Sequence, residues 1–473
     1  MISVEYKPSD ESHLPIRLLP HQKDLLKKID DEKYPIYICW GMGSGKTIGA
    51  CMCMNNLSEN TKVLIICDKS TVIQWKNEVE KVLQRNIKKK IHVNIMHYEY
   101  LDRDNTPEPR NYNLTIVDEA HRFRNAWSRE STRMLNWIYM IQECRRVIYL
   151  SGTPIVHDPV TERHAFDKLM INNKLQGRVF FYDPRMDPKS EKKYPNADEV
   201  NVKCEMSWGQ CFIYLSNRRQ EFSIHLEDEE EPRIRMSSSK NTYNTLLRAI
   251  SNNPFPEKPE LSPKFEEIIK QMEFHDSNQC KQIIYSSRKD TGVKALQKLW
   301  NNVCDNESFQ ITGDMSQEER AENIRKFNRK PNSVLFITDA GGQGIDLKRV
   351  DIVHIMEPAD NLQDERQIIN RAIRYKSHNN PDSTVTVIRY LSIFPIKGSV
   401  SKPWKRLLYE SGLFSKEEMK GITRKVQYAL KKIINIEENN ETIDQKIFRI
   451  RDEREISIQK AITDLKKESE ISS

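Results

Sequence analysis

Apolar residues along this chain gather either in short unbroken runs or at a 3.6-residue spacing, and the two patterns alternate. Unbroken runs of four to seven predict buried strands, and the wider spacing predicts amphipathic helices. Pro20 opens a helix with Leu25, Leu26 and Ile29 on its apolar face. Ile36 to Cys39 reads as a strand entering a glycine-rich turn, and IGACMCMNNL after it reads as a helix. Val63 to Cys67 is a continuous apolar strand, followed by a polar turn and a helix carrying Trp75. Leu114 to Val117 and Val147 to Leu150 complete the set, with IHVNIMHYEYL (91–101) between them and the second strand. Strand alternating with helix predicts a parallel sheet covered on both faces.

The same alternation resumes after residue 262. SPKFEEIIKQM predicts a helix, and Gln282 to Tyr285 a strand. FQITGD gives a short strand and a turn at Gly313 and Asp314, before a helix opened by Ser316 with Glu319 as its capping box. Val334 to Ile337 is a further strand, and DERQIINRAIRYKSH a helix. Between 158 and 262 the periodicity weakens amid prolines and the acidic run Glu227 to Glu231, and four prolines between 254 and 263 read as a linker. Beyond 395 the chain reads as helical. Apolar residues at 443, 447, 450, 458, 461 and 465 form a stripe opened by a Thr442 and Gln445 capping box, more suited to packing across the other parts than to binding a partner.

Composition narrows this picture only slightly. The chain has 473 residues, enough for two or three domains, and 75 basic against 68 acidic residues leave a net charge of +7, which permits nucleic acid without requiring it. The nine cysteines show no C-x-x-C spacing, so neither zinc nor a disulfide framework is expected. The polar N-terminus and the lack of a long apolar run predict neither signal peptide nor membrane span, hence an intracellular protein.

Candidate chemistry clusters at the predicted strand ends. Gly41, Met42, Gly43, Ser44 and Gly45 form a loop whose glycines let backbone N–H groups converge on phosphate oxygens. Lys46 then reaches the β- and γ-phosphates and Thr47 ligates magnesium. A full G-x-x-x-x-G-K-[ST] loop has glycine at position 40, where this chain has Trp40; what remains is the shorter GxGKT form. Asp118 and Glu119 end the 114–117 strand: Asp118 can hold magnesium through water, and Glu119 can orient and deprotonate an attacking water. Ser151, Gly152 and Thr153 can sense the γ-phosphate or form an ordinary turn. Gln22 can read an adenine edge or be a solvated helix glutamine.

Farther along, Thr338, Asp339 and the glycines 341, 342 and 344 make a turn for a nucleic-acid phosphate or a neighbouring lobe, with Gly344 and Asp346 counted among the nucleotide-binding residues. On a helix, Gln367, Arg371 and Arg374 share one face, where two guanidiniums can grip a transferring phosphate.

GxGKT, DEAH and SGTP in this order resemble a superfamily-two helicase or translocase. DEAHRFRN with IICDKSTVIQWKNEV looks most like the Swi/Snf-type branch, and SGTPI, TDAGGQGIDL and QIINRAIR are similar to the viral nucleoside triphosphate phosphohydrolase I group and its giant-virus relatives. The resemblance spans roughly residues 15 to 395. It implies an α/β fold of two RecA-like lobes, ATP and Mg²⁺ in the cleft between them, and Arg374 as the arginine finger with Arg371 as its γ-phosphate partner.

The expected division is 1–157 and 263–395 for the two lobes, 158–262 for a helical insertion and linker, and 396–473 for a helical extension. The leading function is a DNA-dependent ATPase that moves along duplex DNA, with viral transcription as a candidate setting. The rivals are a strand-separating DNA or RNA helicase and a nucleotide-gated binding subunit of a transcription or packaging complex. The expected location is host cytoplasm or virion for a viral protein and the nucleus for a cellular one.

Overall fold

The computed structural model describes residues 2–394 and 441–470, apart from 7–14, 30–32, 88, 103–105, 107, 125, 127–131, 157, 171–174, 184–186, 188–193, 208–209, 212–213, 215–240, 255–257, 340–344, 346, 360–361, 375–376 and 381. The chain divides into two compact units, Met1–Tyr194 with Glu453–Ser473, and Pro195–Asp452.

The first unit holds a seven-stranded sheet: β1 (Ile2–Tyr6), β2 (Ile36–Trp40), β3 (Thr61–Cys67), β4 (Ile91–His97), β5 (Leu114–Val117), β6 (Val147–Leu150) and β7 (Val179–Tyr182). Their order is β1-β4-β3-β5-β6-β2-β7, with only β1 antiparallel to its neighbour. The unbroken apolar runs have a direct cause, because both faces of the inner strands are covered. Ile36, Ile38 and Trp40 enter one core while Tyr37 and Cys39 enter the other, and Val63, Ile65 and Cys67 divide from Leu64 and Ile66 in the same way. Helices α1 (Pro20–Lys28), α2 (Lys46–Met52), α3 (Val72–Asn86), α4 (Thr132–Gln142) and α5 (Pro159–Leu169) lie among these strands in sequence.

The second unit holds a six-stranded, all-parallel sheet: β8 (Asn196–Glu205), β9 (Gln282–Tyr285), β10 (Ser308–Ile311), β11 (Val334–Ile337), β12 (Ile352–Ile355) and β13 (Thr384–Ile393), in the order β10-β11-β9-β12-β13-β8. Its helices are α6 (Asn241–Asn252), α7 (Pro263–Ser277), α8 (Ala295–Val303), α9 (Gln317–Arg329) and α10 (Leu362–Ala372). The Ser316 hydroxyl accepts the Glu319 N–H, and the Glu319 carboxylate accepts the Ser316 N–H, so the capping box is closed in both directions.

The interval 158–262, where helices and a linker were expected, supplies one strand to each sheet. β7 is a short VFFY run at the edge of the first sheet, and β8 at the edge of the second has mostly exposed side chains, so it lacks an apolar alternation to read. The final helix, α11 (Ile443–Glu470), opens on the expected box: the Gln445 N–H donates to Thr442 Oγ1 (3.3 Å), and the Thr442 N–H to Gln445 Oε1 (3.1 Å). Ile443 joins an apolar cluster of the second unit with Met206, Cys211, Tyr214, Leu247 and Ile250, whereas Leu465 joins the first unit's core.

Charges are also buried inside the second unit. Lys264 Nζ lies 2.7 Å from Asp444 Oδ2 with both side chains almost wholly enclosed, and Glu365 takes Arg389 on one oxygen and Arg451 on the other. Among the described residues no helix is long and apolar enough to cross a membrane.

Candidate active site

Strand β2 delivers the glycine-rich loop, and two of its residues need glycine for backbone reasons. Gly43 and Gly45 stand at φ 74° and 78°, in the left-handed region that costs a side-chain-bearing residue energy. At Gly45 there is a second reason: an added Cβ would lie 2.6 Å from Gln22 Nε2. Trp40, in place of the usual loop glycine, is explained by a partner in α2. Its indole lies against Gly49, where a Cβ would come within 2.7 Å of the ring. The departure at position 40 is thus matched by a glycine nine residues on.

Helix α1 braces the loop from behind. The Leu19 N–H donates to Gln22 Oε1 (2.8 Å), and Gln22 Nε2 donates to the Gly45 carbonyl (3.1 Å). The amide expected at the edge of adenine is therefore occupied, in this structure, with holding the loop. His21 adds a second brace: its Nε2–H donates to the Ser44 carbonyl (2.9 Å), while its ring stacks on Tyr182 at 3.7 Å and meets Trp40 edge-on. Burial lowers the His21 pKa, which favours the neutral ring.

Lys46 Nζ donates to the Trp40 carbonyl (2.8 Å) and sits close enough to Gly152 that a Cβ there would be 3.1 Å away. The amine of the phosphate-type loop and the SGTP turn thus adjoin each other. The Ser44 hydroxyl is enclosed in the loop without a hydrogen-bond partner. A buried orphan hydroxyl beside a lysine and glycine backbone is the kind of donor that an anionic oxygen would satisfy.

Asp118 follows directly on β5 and is held on every side. Its backbone N–H donates to the Ile66 carbonyl (2.8 Å), and its carbonyl accepts from the Tyr98 hydroxyl (2.5 Å). One carboxylate oxygen accepts from the Trp75 indole N–H (2.8 Å) and the other from the Glu119 N–H (3.1 Å). Burial, then the charge of Glu119, pushes its pKa up, against the pull of Trp75 and Lys46. Glu119 lies at φ 49°, a conformation uncommon outside glycine and concentrated at functional sites. His121 Nδ1 lies 3.2 Å from Glu119 Oε2 and 3.0 Å from Ser151 Oγ, which in turn accepts the Thr153 N–H (3.0 Å). Burial works to raise the Glu119 carboxyl, but the His121 hydrogen bond and charge, followed by Lys46 and Arg122, outweigh it and hold Glu119 ionised. The result is two adjacent carboxylates of unequal basicity beside one lysine.

No cluster of three or more His, Cys, Asp or Glu side chains fit for a metal occurs among the described residues. The donor set suits magnesium all the same. Mg²⁺ retains much of its water and takes one or two protein oxygens together with substrate phosphates, and Asp118 and Thr47 offer a carboxylate and a hydroxyl of that kind.

In the second unit, Gln367 and Arg371 lie on α10, but the helix ends at Ala372 and Arg374 stands beyond it. The expectation that all three share one helical face holds for the first two only. The cause is Ser377, whose hydroxyl accepts the Arg374 N–H (3.3 Å) while its own N–H donates to the Arg374 carbonyl (3.0 Å), folding the chain into a turn. Gly344 and Asp346 lie outside the described residues. Sequence reading missed Trp75, His121, His21 and Tyr98 as partners of the site. The first is visible in retrospect as the lone indole of the segment after β3.

Two family profiles match the chain. One, described as the res subunit of type III restriction enzymes, covers residues 15–156, and the helicase conserved C-terminal domain covers 263–376. A protein of Acanthamoeba polyphaga mimivirus named as an ATP-dependent RNA helicase is 28% identical over 59% of this chain and 68% of its own length. The ATP-dependent helicase brm of Drosophila melanogaster is 24% identical over 74% of this chain, which spans about a quarter (26%) of the fly protein. A solved structure, the Sulfolobus solfataricus SWI2/SNF2 ATPase core in complex with dsDNA, aligns over 88% of this chain and 95% of its own at 18% identity, with a TM-score of 0.34, too low to place one fold on the other.

Proposed function

We propose that this chain, which belongs to the superfamily-two helicases and translocases of the Swi/Snf-like type, is an ATP-hydrolysing motor that moves along duplex DNA without separating its strands. The observation that carries the hydrolytic part is the convergence of Lys46, Asp118 and Glu119 on one corner of the first sheet, with the Lys46 charge acting on both carboxylates. Open α/β sheets bind ligands at the carboxyl ends of their strands, and these residues stand there.

Their roles in this reading follow from chemistry. Lys46 offsets phosphate charge, and the orphan Ser44 hydroxyl and loop backbone take phosphate oxygens. Thr47 and Asp118 hold magnesium, which when bound neutralises charge developing on the phosphates. Glu119, kept ionised by His121, orients and deprotonates the attacking water. The His121 contact to Ser151 joins that base to the SGTP turn, a short route by which occupancy of the nucleotide site alters the neighbouring loop.

Duplex tracking is favoured by the branch resemblance in DEAHRFRN and IICDKSTVIQWKNEV. Phosphate contacts would dominate, so binding should be nearly independent of sequence and fall steeply with salt. The deciding assay pairs third-strand displacement from a duplex with strand release from a fork, each with ATP. Displacement without release is expected. Efficient release from an RNA or DNA fork would instead establish a strand-separating helicase, the activity in the mimivirus relative's name.

A further inference from the structure

The indole of Trp75 is the one side chain from outside the phosphate-type loop and the DEAH segment that hydrogen-bonds an Asp118 carboxylate oxygen among the described contacts. It comes from the first turn of α3, is almost fully buried in the core beneath the sheet, and reaches Asp118 Oδ2 at 2.8 Å. A buried indole N–H needs an acceptor, and a backbone carbonyl would satisfy it, as the Leu101 carbonyl does for Trp137 (2.9 Å). Trp75 instead donates to a carboxylate, which makes the bond charge-assisted and the stronger for it.

The other restraints on Asp118 leave this one with a distinct task. Main-chain bonds to Ile66 and from Tyr98 fix the backbone, and the Glu119 N–H meets Oδ1. Rotation of the carboxylate about its own bond to the chain is opposed at Oδ2 by Trp75 alone among the side chains described. Each oxygen carries one donor and so retains a lone-pair direction for a metal-bound water. An indole can only donate, so it cannot swap roles and let the carboxylate turn.

We propose that Trp75 is a positioning residue for magnesium: its indole N–H locks the Asp118 carboxylate in the orientation that receives the hydrated ion of the bound nucleotide. The inference rests on the reading of Asp118 as the magnesium-linked carboxylate. Loss of an outer hydrogen bond to a metal-holding group typically weakens metal affinity or activity tenfold to a hundredfold.

The test uses the full chain labelled with ¹⁵N at its tryptophan indoles, with the Trp75 resonance identified by its absence in Trp75→Phe. Adding ADP with Mg²⁺ should move the Trp75 N–H resonance, and adding ADP in EDTA should leave it in place. In parallel, Trp75→Phe, or benzothienylalanine at position 75 where phenylalanine prevents folding, should raise the Mg²⁺ concentration for half-maximal ATP hydrolysis at least tenfold. ADP affinity in EDTA should stay within about twofold of the unmodified protein. The isostere keeps the shape of the indole and lacks only the N–H, so a packing role would leave its Mg²⁺ requirement unchanged. A stationary Trp75 resonance with an unchanged Mg²⁺ requirement overturns the proposal while ATP hydrolysis by the unmodified protein stands. If the unmodified protein neither hydrolyses ATP nor binds Mg²⁺ and ADP, the functional reading itself is overturned.

Discussion

The corner of the first sheet and the end of α10 in the second unit both carry motif residues, yet they are built by different means. In the first, Asp118 and Glu119 are held by Ile66, Tyr98, Trp75 and His121, and the loop by Gln22 and His21. In the second, Arg371 and Arg374 stand half-buried at a helix end where a serine turn directs the chain. Deeply buried charges of that unit pair Lys264 with Asp444, outside any motif, and Glu365 of α10 with two arginines from β13 and α11. Burial of charge therefore marks different things in the two units. In one it tunes a pair of carboxylates, and in the other it fastens α11 and β13 to the core.

The largest effect expected from this contrast lies in the first corner. Glu119→Gln keeps the shape and removes the base, so turnover should fall by more than about a thousandfold while nucleotide affinity stays near normal. Lys46→Ala should instead weaken binding. Single-turnover hydrolysis and nucleotide titration separate the two, and near-normal turnover by the glutamine variant would remove Glu119 from the role of base.

Arg374→Ala comes next. If it acts on the transferring phosphate as the resemblance implies, turnover should fall on the order of a thousandfold, about 4 kcal/mol of barrier, with little change in ATP affinity. A loss below about tenfold would make the Ser377 turn a structural feature only.

Strands are most legible in the sequence where both sheet faces are covered. Strands at 36–40, 114–117, 147–150, 282–285 and 334–337 are legible because each is an apolar run packed into two cores. The Ser316 and Thr442 caps are legible because a capping box is a purely local pattern. β8 was not, since an exposed edge strand has no buried face to impose alternation. Arg374 was misplaced because the helix stop depends on Ser377 rather than on a glycine or proline. The partners of the site were hidden for another reason: Trp75 and Asp118 are separated by 43 positions, and their contact exists only through the pairing of β3 with β5.

Asp444→Ala tests the architectural half of the contrast. Leaving Lys264 buried without its carboxylate should cost about 3–5 kcal/mol, seen as faster hydrogen exchange at β12 and β13 amides. Mg²⁺ dependence of hydrolysis should not move at temperatures where the variant is folded, and a shift there would tie the buried pair to the chemistry.

The smallest effect concerns His354, enclosed between β9 and β13 with Gln282 and Tyr390 on its two nitrogens. Burial, with His275 adding to it, holds its pKa down at about 3. The unfolded chain takes up this proton below about 6.5 whereas the folded one does not, so stability is lost as pH falls from that value towards 3. From pH 6.5 to 5.5 the cost is about 1 kcal/mol. Denaturation at the two pH values should show that loss in the natural chain and less of it in His354→Gln.

The central claim, a motor driven by ATP and engaged on duplex DNA, is tested most directly by the rate of ATP hydrolysis measured alone, with single-stranded DNA, with duplex DNA and with RNA. Duplex DNA should stimulate hydrolysis most, and Glu119→Gln should abolish that stimulation. Equal rates in all four conditions, or stimulation by a single strand exceeding that by duplex, would contradict it.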